Sequence, residues 1–207
     1  MILVGQYDSP YTRRVAISLQ VLGFAYEHDT RSVFGDFDSM RGTNPLGRIP
    51  SLILDDGTVL IDSAAILDCL DELAGPTRAL LPPAGRARRE ALQRVALANG
   101  VVDKLGGGVN YERLVRPSPY RWPAWIERCT TQGQGALAAL DALDWPERQI
   151  DQAQITMVCA FDYVRITAPD LVPEGRYTQL EQLAARLCAR PEFRATRFSD
   201  YAVPRAD

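Results

Sequence analysis

A chain of 207 residues, 46% of them hydrophobic, can bury a sizeable core, either as one domain or as two small ones. Its formal charge of -3 and pI near 5.3 argue against a general nucleic-acid binder, whose affinity would rest on a basic face, and the arginines are spread along the chain. The short apolar N-terminus has no basic flank or cleavage site, and no unbroken apolar run reaches about 18 residues, so a soluble, cytoplasmic protein without membrane association is expected.

Met1-Ile2-Leu3-Val4-Gly5 has the length and apolarity of a strand, and Val15, Ile17, Leu19 and Leu22 then recur at near-helical spacing. Ser9 is therefore expected on a strand-to-helix turn with Pro10 at the first helical position. Such a turn offers free backbone donors and the positive end of a dipole, which favour an anion beside the hydroxyl; a plain N-cap serine is the alternative. Tyr26-Glu27-His28 reads as a second strand, with His28 structural, and Arg31 to Gly47 as a polar irregular stretch. Pro50 precedes Ser51-Leu52-Ile53-Leu54, and the turn signal Asp55-Asp56-Gly57-Thr58 leads to Val59-Leu60-Ile61, giving a hairpin. Asp62-Ser63 opens a helix with Ile66, Leu67, Leu70 and Leu73 on its apolar face, stopped by Ala74-Gly75-Pro76.

Pro76 through Gly85, containing Pro82-Pro83, reads as a linker, and the rest is helical. The first long helix starts near Arg86 with Leu92, Val95, Val102 and Leu105 on one face. Gly106-Gly107-Gly108 then marks a break or a close backbone approach, because each glycine costs about 1 kcal/mol in a helix relative to alanine. Pro117-Ser118-Pro119 begins a second helix carrying Trp122, Trp125, Leu137, Leu140 and Leu143, with the two tryptophans expected as core or domain-interface anchors. Asp151 and Gln154 form a capping box before the apolar run from Ile155 to Phe161, and a final helix spans Tyr177 to Ala189 with Leu180, Leu183, Leu187 and Cys188 inside. The four cysteines are widely separated, which suits reduced core thiols. With one histidine there is neither a catalytic triad nor a zinc cluster, so no metal is expected.

The order of elements from Met1 to about Gly75, with Ser9-Pro10-Tyr11-Thr12-Arg13, Asn44-Pro45-Leu46-Gly47-Arg48-Ile49-Pro50 and Asp62-Ser63 at the ends of successive apolar runs, resembles the N-terminal domain of glutathione transferases. The remainder is similar to their helical C-terminal domain. The resemblance implies an α/β thioredoxin-like N-terminal domain followed by an all-α domain, with boundaries at 1–76, a linker over 77–85, and 86–207. It further implies that Ser9 touches the sulfur of glutathione, that Ile49, before a cis-Pro50, pairs through its backbone with the cysteinyl moiety, and that Asp62 and Ser63 hold the γ-glutamyl group. Arg48 stands where the family often faces the glycyl carboxylate, with a solvated arginine as the alternative. Tyr7 is a rival thiolate donor, and Tyr7, Tyr11, Phe34 and Tyr111 are candidates for the acceptor pocket. The expected function is a homodimeric, serine-type, bacterial-like transferase that conjugates glutathione, its co-substrate, to small, largely apolar electrophiles in detoxification. A non-catalytic interaction module of the same fold, or a glutathione-dependent isomerase or dehalogenase, is the alternative.

Overall fold

The computed structural model describes residues 1–147 and 149–198, so the tail of the expected second domain, residues 199–207, lies outside the described residues. The chain groups into two compact units, Met1–Pro83 together with the segment beginning at Arg190, and Ala84–Ala189.

The first unit runs β1 (Ile2–Val4), α1 (Pro10–Leu22), β2 (Glu27–Asp29), α2 (Phe37–Thr43), β3 (Ser51–Ile53), β4 (Val59–Leu60) and α3 (Ser63–Ala74). Its four strands lie in the order β2-β1-β3-β4, with β2 parallel to β1 and the β3–β4 hairpin antiparallel to it. This is a thioredoxin-like arrangement. Leu3, Val4 and Leu52 from the sheet meet Val15, Ile17 and Leu19 of α1 and Ile66 and Leu70 of α3, all fully buried. Each such aliphatic side chain contributes about 1.5–3 kcal/mol by leaving water. Leu73, expected on that inner face, is instead half exposed at 50%, because α3 turns only a narrow stripe toward α1 and β3. The final helix, α9 (Pro191–Ala195), packs against α1 and buries Phe193.

The expected irregular stretch from Arg31 to Gly47 contains α2. That helix buries only Met40, so it has no apolar period to betray it. Tertiary hydrogen bonds hold it: the Arg31 guanidinium bonds Asp29 Oδ2 at 2.8 Å and reaches the Ser39 carbonyl at 3.0 Å and Thr43 Oγ1 at 3.1 Å.

The second unit is helical: α4 (Gly85–Val101), a π-helical segment over Val102–Asn110, α5 (Tyr111–Leu114), α6 (Pro123–Asp141), α7 (Gln152–Thr167) and α8 (Thr178–Cys188). The capping box forms as expected, Asp151 Oδ1 accepting from Gln154 N at 2.8 Å and Gln154 Oε1 from Asp151 N at 3.2 Å. Every residue from Gln152 to Phe161 is buried, as befits a helix apolar on nearly all sides.

Two expectations of core positions fail here. Leu92 is 40% exposed, and α4 buries Ala91, Ala98 and Val101 instead, because small residues allow α4 to approach α7 and α6 closely. Trp122 and Trp125 stack on each other at 6.5 Å but are exposed rather than core, Trp122 preceding α6 as its N-cap residue. The three glycines do not interrupt the helix. Gly106 and Gly108 mark a close approach, since a Cβ at Gly106 would stand 2.8 Å from the Tyr163 ring and one at Gly108 2.6 Å from Cys129 Sγ.

Candidate functional site

β1 ends at Val4, and Gly5 follows with φ +126°, its N–H donating to the Asp29 carbonyl at 2.8 Å. Only glycine fits there, because a Cβ would lie 2.7 Å from Ile49 Cβ and 2.8 Å from Thr12 Oγ1. The chain then turns through Tyr7 and Asp8 into α1. Ser9 is the N-cap: its Oγ accepts from Thr12 N at 3.3 Å and its carbonyl accepts from Arg13 N at 2.9 Å, with Pro10 opening the helix. Since the oxygen is used as an acceptor, the hydroxyl proton remains to be donated at the positive end of α1. The carboxyl of neighbouring Asp8 is pushed up by burial, against the lowering effect of backbone hydrogen bonds from Ser9 and from its own amide.

Tyr7 is engaged elsewhere. Its ring stacks on His28 at 4.0 Å and 9°, and its hydroxyl shares a 2.9 Å hydrogen bond with Tyr26 Oη, which also accepts from Gln20 Nε2 at 3.1 Å. His28 Nε2 in turn lies 2.7 Å from the Gly5 carbonyl, so this network braces the turn between β1 and α1 and gives His28 its structural role.

The loop before β3 is held by Asn44, which is buried. Its Nδ2 donates to the Arg48 carbonyl at 2.7 Å and its Oδ1 accepts from Leu46 N at 2.9 Å. Gly47 adopts φ +59°, and a Cβ there would stand 2.5 Å from the Phe37 ring. The Ile49–Pro50 peptide is cis, and Ser51 then pairs with Val4, which sets Ile49 against Gly5. The Arg48 side chain is exposed.

Asp62 is the N-cap of α3, its Oδ1 accepting from Ala64 N at 2.7 Å. Ser63 is only 3% exposed, and its Oγ accepts twice from Arg14, from Nη2 at 2.7 Å and Nε at 3.2 Å. Arg14 is itself 2% exposed and its guanidinium lies 5.7 Å from the centre of the Tyr11 ring. These bonds tie the second turn of α1 to the first turn of α3.

The structure thus gathers three of the sequence-derived segments at the C-terminal end of β1: the Ser9 cap, Ile49-Pro50 beside Gly5, and Ser63 fastened to α1. Of the residues considered for an acceptor pocket, Tyr7 sits in the brace with His28, Tyr11 lies under Arg14, Phe34 is exposed on the loop before α2, and Tyr111 is exposed in the second unit. Sequence reasoning missed Arg14. The available signal was a charged residue embedded in the apolar run of α1. The internal bonds of Asn44 were missed as well, although an asparagine two residues before an amide that needs an acceptor is an Asx-turn signature.

Residues 3–78 match the family described as glutathione S-transferase, N-terminal domain. Over almost its whole length the chain is similar to a solved glutathione transferase family member from Pseudomonas fluorescens Pf-5 with bound glutathione: 33% identity, 95% of this chain and 98% of that one covered, TM-score 0.83. The chain belongs to the glutathione transferase family. A glutathione S-transferase from Methylobacterium radiotolerans in complex with glutathione sulfonate gives TM-score 0.88 at 27% identity, covering 100% of this chain and 99% of that one. Among relatives, the uncharacterized GST-like protein YibF of Escherichia coli strain K12 is 27% identical over 205 residues, 95% of this chain and 98% of its own. A maleylacetoacetate isomerase of Pseudomonas aeruginosa is 35% identical over 99 residues, 44% of this chain and 46% of its own.

Glutathione carries a thiol, two carboxylates and one ammonium. The site holds two hydroxyls, each with its oxygen already used as an acceptor, two helix N-termini, and one exposed carboxylate, that of Asp62.

Proposed function

We infer that this chain is a serine-type, bacterial-like glutathione transferase that joins the glutathione thiolate to small, largely apolar electrophiles. The observation that carries the reading is the Ser9 cap, whose oxygen takes the Thr12 amide and whose proton is left to donate. A free thiol has a pKa of about 8.5, so few molecules are thiolate at neutral pH; one charge-assisted hydrogen bond of about 1.5–3 kcal/mol lowers that by about 1–2 units. Ser9 is then a donor to the nucleophile and not itself the nucleophile. In the same reading the backbone of Ile49, before Pro50, aligns the cysteinyl part. Asp62 takes the γ-glutamyl ammonium, Ser63 its carboxylate, and Arg48 faces the glycyl carboxylate. The domain over 1–76 supplies these groups. A homodimer acting in cytoplasmic detoxification completes the proposal.

Isomerisation is the second reading, favoured by the 35% identity over 99 residues to a maleylacetoacetate isomerase. It uses the same thiolate and differs in the acceptor. Calorimetric titration with reduced glutathione tests both: saturable binding, one per chain, at micromolar to millimolar strength supports them. Its absence overturns both and leaves an interaction module of the transferase fold. Assays with a nitrohaloarene and with maleylacetoacetate then separate conjugation from isomerisation.

A further inference from the structure

We propose that Arg14 is a positioning residue for glutathione: by donating twice to Ser63 Oγ it keeps the hydroxyl proton turned away from the guanidinium, as a donor to the γ-glutamyl carboxylate. The proposal rests on the glutathione reading above. A serine hydroxyl has one proton and two acceptor sites, and its rotor normally chooses among several partners. Here Nη2 at 2.7 Å and Nε at 3.2 Å of one guanidinium take the acceptor side together. A guanidinium cannot accept, so the Ser63 proton cannot turn toward it.

The geometry is fixed at both ends. Arg14 lies in the second turn of α1, its side chain reaching back toward the helix N-terminus, as helical side chains do. It is withdrawn from water over 98% of its surface, since its exposure is 2%, and packs beside the Tyr11 ring. Ser63 is the first residue of α3, where the unsatisfied backbone amides of that helix also collect positive potential. Arg14 therefore acts on the ligand through Ser63.

The experiment compares two ligands by calorimetry: glutathione, and 4-aminobutyryl-cysteinyl-glycine, which lacks only the γ-glutamyl carboxylate. Arg14→Met is expected to weaken glutathione about tenfold or more, the loss of one oriented charge-assisted hydrogen bond, while changing the affinity of the decarboxylated analogue less than about twofold. Ser63→Ala should show the same pattern, and the double variant should be no weaker than Ser63→Ala alone, because the two changes remove one interaction. A merely structural role for Arg14 would weaken both ligands equally and would add to Ser63→Ala, and either result overturns the proposal. If Arg14→Met does not fold, Arg14→Lys, which keeps the charge but not the paired donors, is expected to lose part of the glutathione affinity and none of the analogue affinity. Unchanged glutathione binding in that folded variant is equally fatal. Failure of the unsubstituted protein to bind glutathione overturns the functional reading and this inference together, whereas binding with additive variants overturns this inference alone.

Discussion

Replacing Ser9 by alanine removes both the oxygen that accepts from Thr12 N and the proton available for a thiolate. The two losses differ in size and in readout. An N-cap is worth about 0.5–2 kcal/mol, and the 3.3 Å distance is long for an N–H···O bond, which places this cap at the lower end, about 0.5–1 kcal/mol. Thermal unfolding should therefore shift by about 1–4 °C. Loss of a hydrogen bond to the charged sulfur costs about 1.5–3 kcal/mol in the thiolate form only, which raises the pKa of bound glutathione by about 1–2 units. The sign fixes the pH dependence. Donation lowers the thiol pKa, so the advantage of Ser9 is full below both pKa values and vanishes above both. Conjugation by Ser9→Ala should fall about 10–100-fold near pH 6.5 and approach the unsubstituted rate as pH rises past the raised value, with glutathione affinity nearly unchanged. The assay is the pH profile of kcat/KM with a nitrohaloarene, paired with ultraviolet titration of the bound thiol. Ser9→Thr, which keeps a hydroxyl, should restore most of the rate. An identical pKa and rate in Ser9→Ala would refute the reasoning and move the donor role to Tyr7. In that event Tyr7→Phe, which removes the hydroxyl now bonded to Tyr26, should carry the loss.

Ser63→Ala is expected to weaken glutathione binding about tenfold in calorimetry while the protein stays folded, and unchanged affinity would remove Ser63 from the site. Gly108→Ala should destabilise by up to about 2 kcal/mol, since a Cβ 2.6 Å from Cys129 Sγ and 2.9 Å from its Cβ outweighs the gain in helix propensity. Gly107→Ala, where a Cβ meets nothing within 4 Å, should be neutral or stabilising by up to about 1 kcal/mol; denaturant midpoints that put the two variants in the opposite order would contradict the packing. Asp8 is held above its ordinary value of 3.8 by burial, so the folded state binds that proton more tightly than the unfolded chain. Stability should therefore decline as pH rises from 3.8 through the raised value, and Asp8→Asn should flatten that part of the urea-midpoint profile. The same slope in both proteins would show that another group is responsible.

The thioredoxin-like unit was legible because β1 and β3 lie in short apolar runs and the two main helices bury apolar residues at near-helical spacing, and because Pro10, Asp62 and Gly75 sit at helix ends where their backbone preferences act. What escaped has a common cause. α2 depends on Arg31 reaching Ser39 and Thr43, a contact between elements that leaves no period in the chain. The triple glycine was ambiguous because chain entropy alone predicts a break, and only the Tyr163 ring and Cys129 thiol packed against it explain a continuous helix. Leu92 and Val95 share the spacing of an inner face with Ala91, Ala98 and Val101, and periodicity does not say which stripe of α4 turns inward. Arg14 stood next to Arg13 as one more arginine until Ser63 appeared beside it, 49 residues away in sequence.

The capping and binding readings of Ser9 and Ser63 looked like alternatives in the sequence, and the geometry explains why they need not be. Folding uses one polarity of each group. Ser9 Oγ is consumed as an acceptor by Thr12 N, Ser63 Oγ by Arg14, and Asp62 Oδ1 by Ala64 N. What remains is a proton on each serine and the second oxygen of Asp62. Those leftovers have the polarities that a thiolate, a carboxylate and an ammonium require. A hydroxyl that was free to turn would reorganise on meeting an anion, at a cost in orientation; one that already accepts from a fixed donor has its proton turned away from that donor before the ligand arrives. It follows that an alanine at Ser9 or Ser63 should cost ligand chemistry more than it costs folding. A change that frees the rotor while keeping the hydroxyl, as Arg14→Met does at Ser63, should weaken the ligand without unfolding the helix.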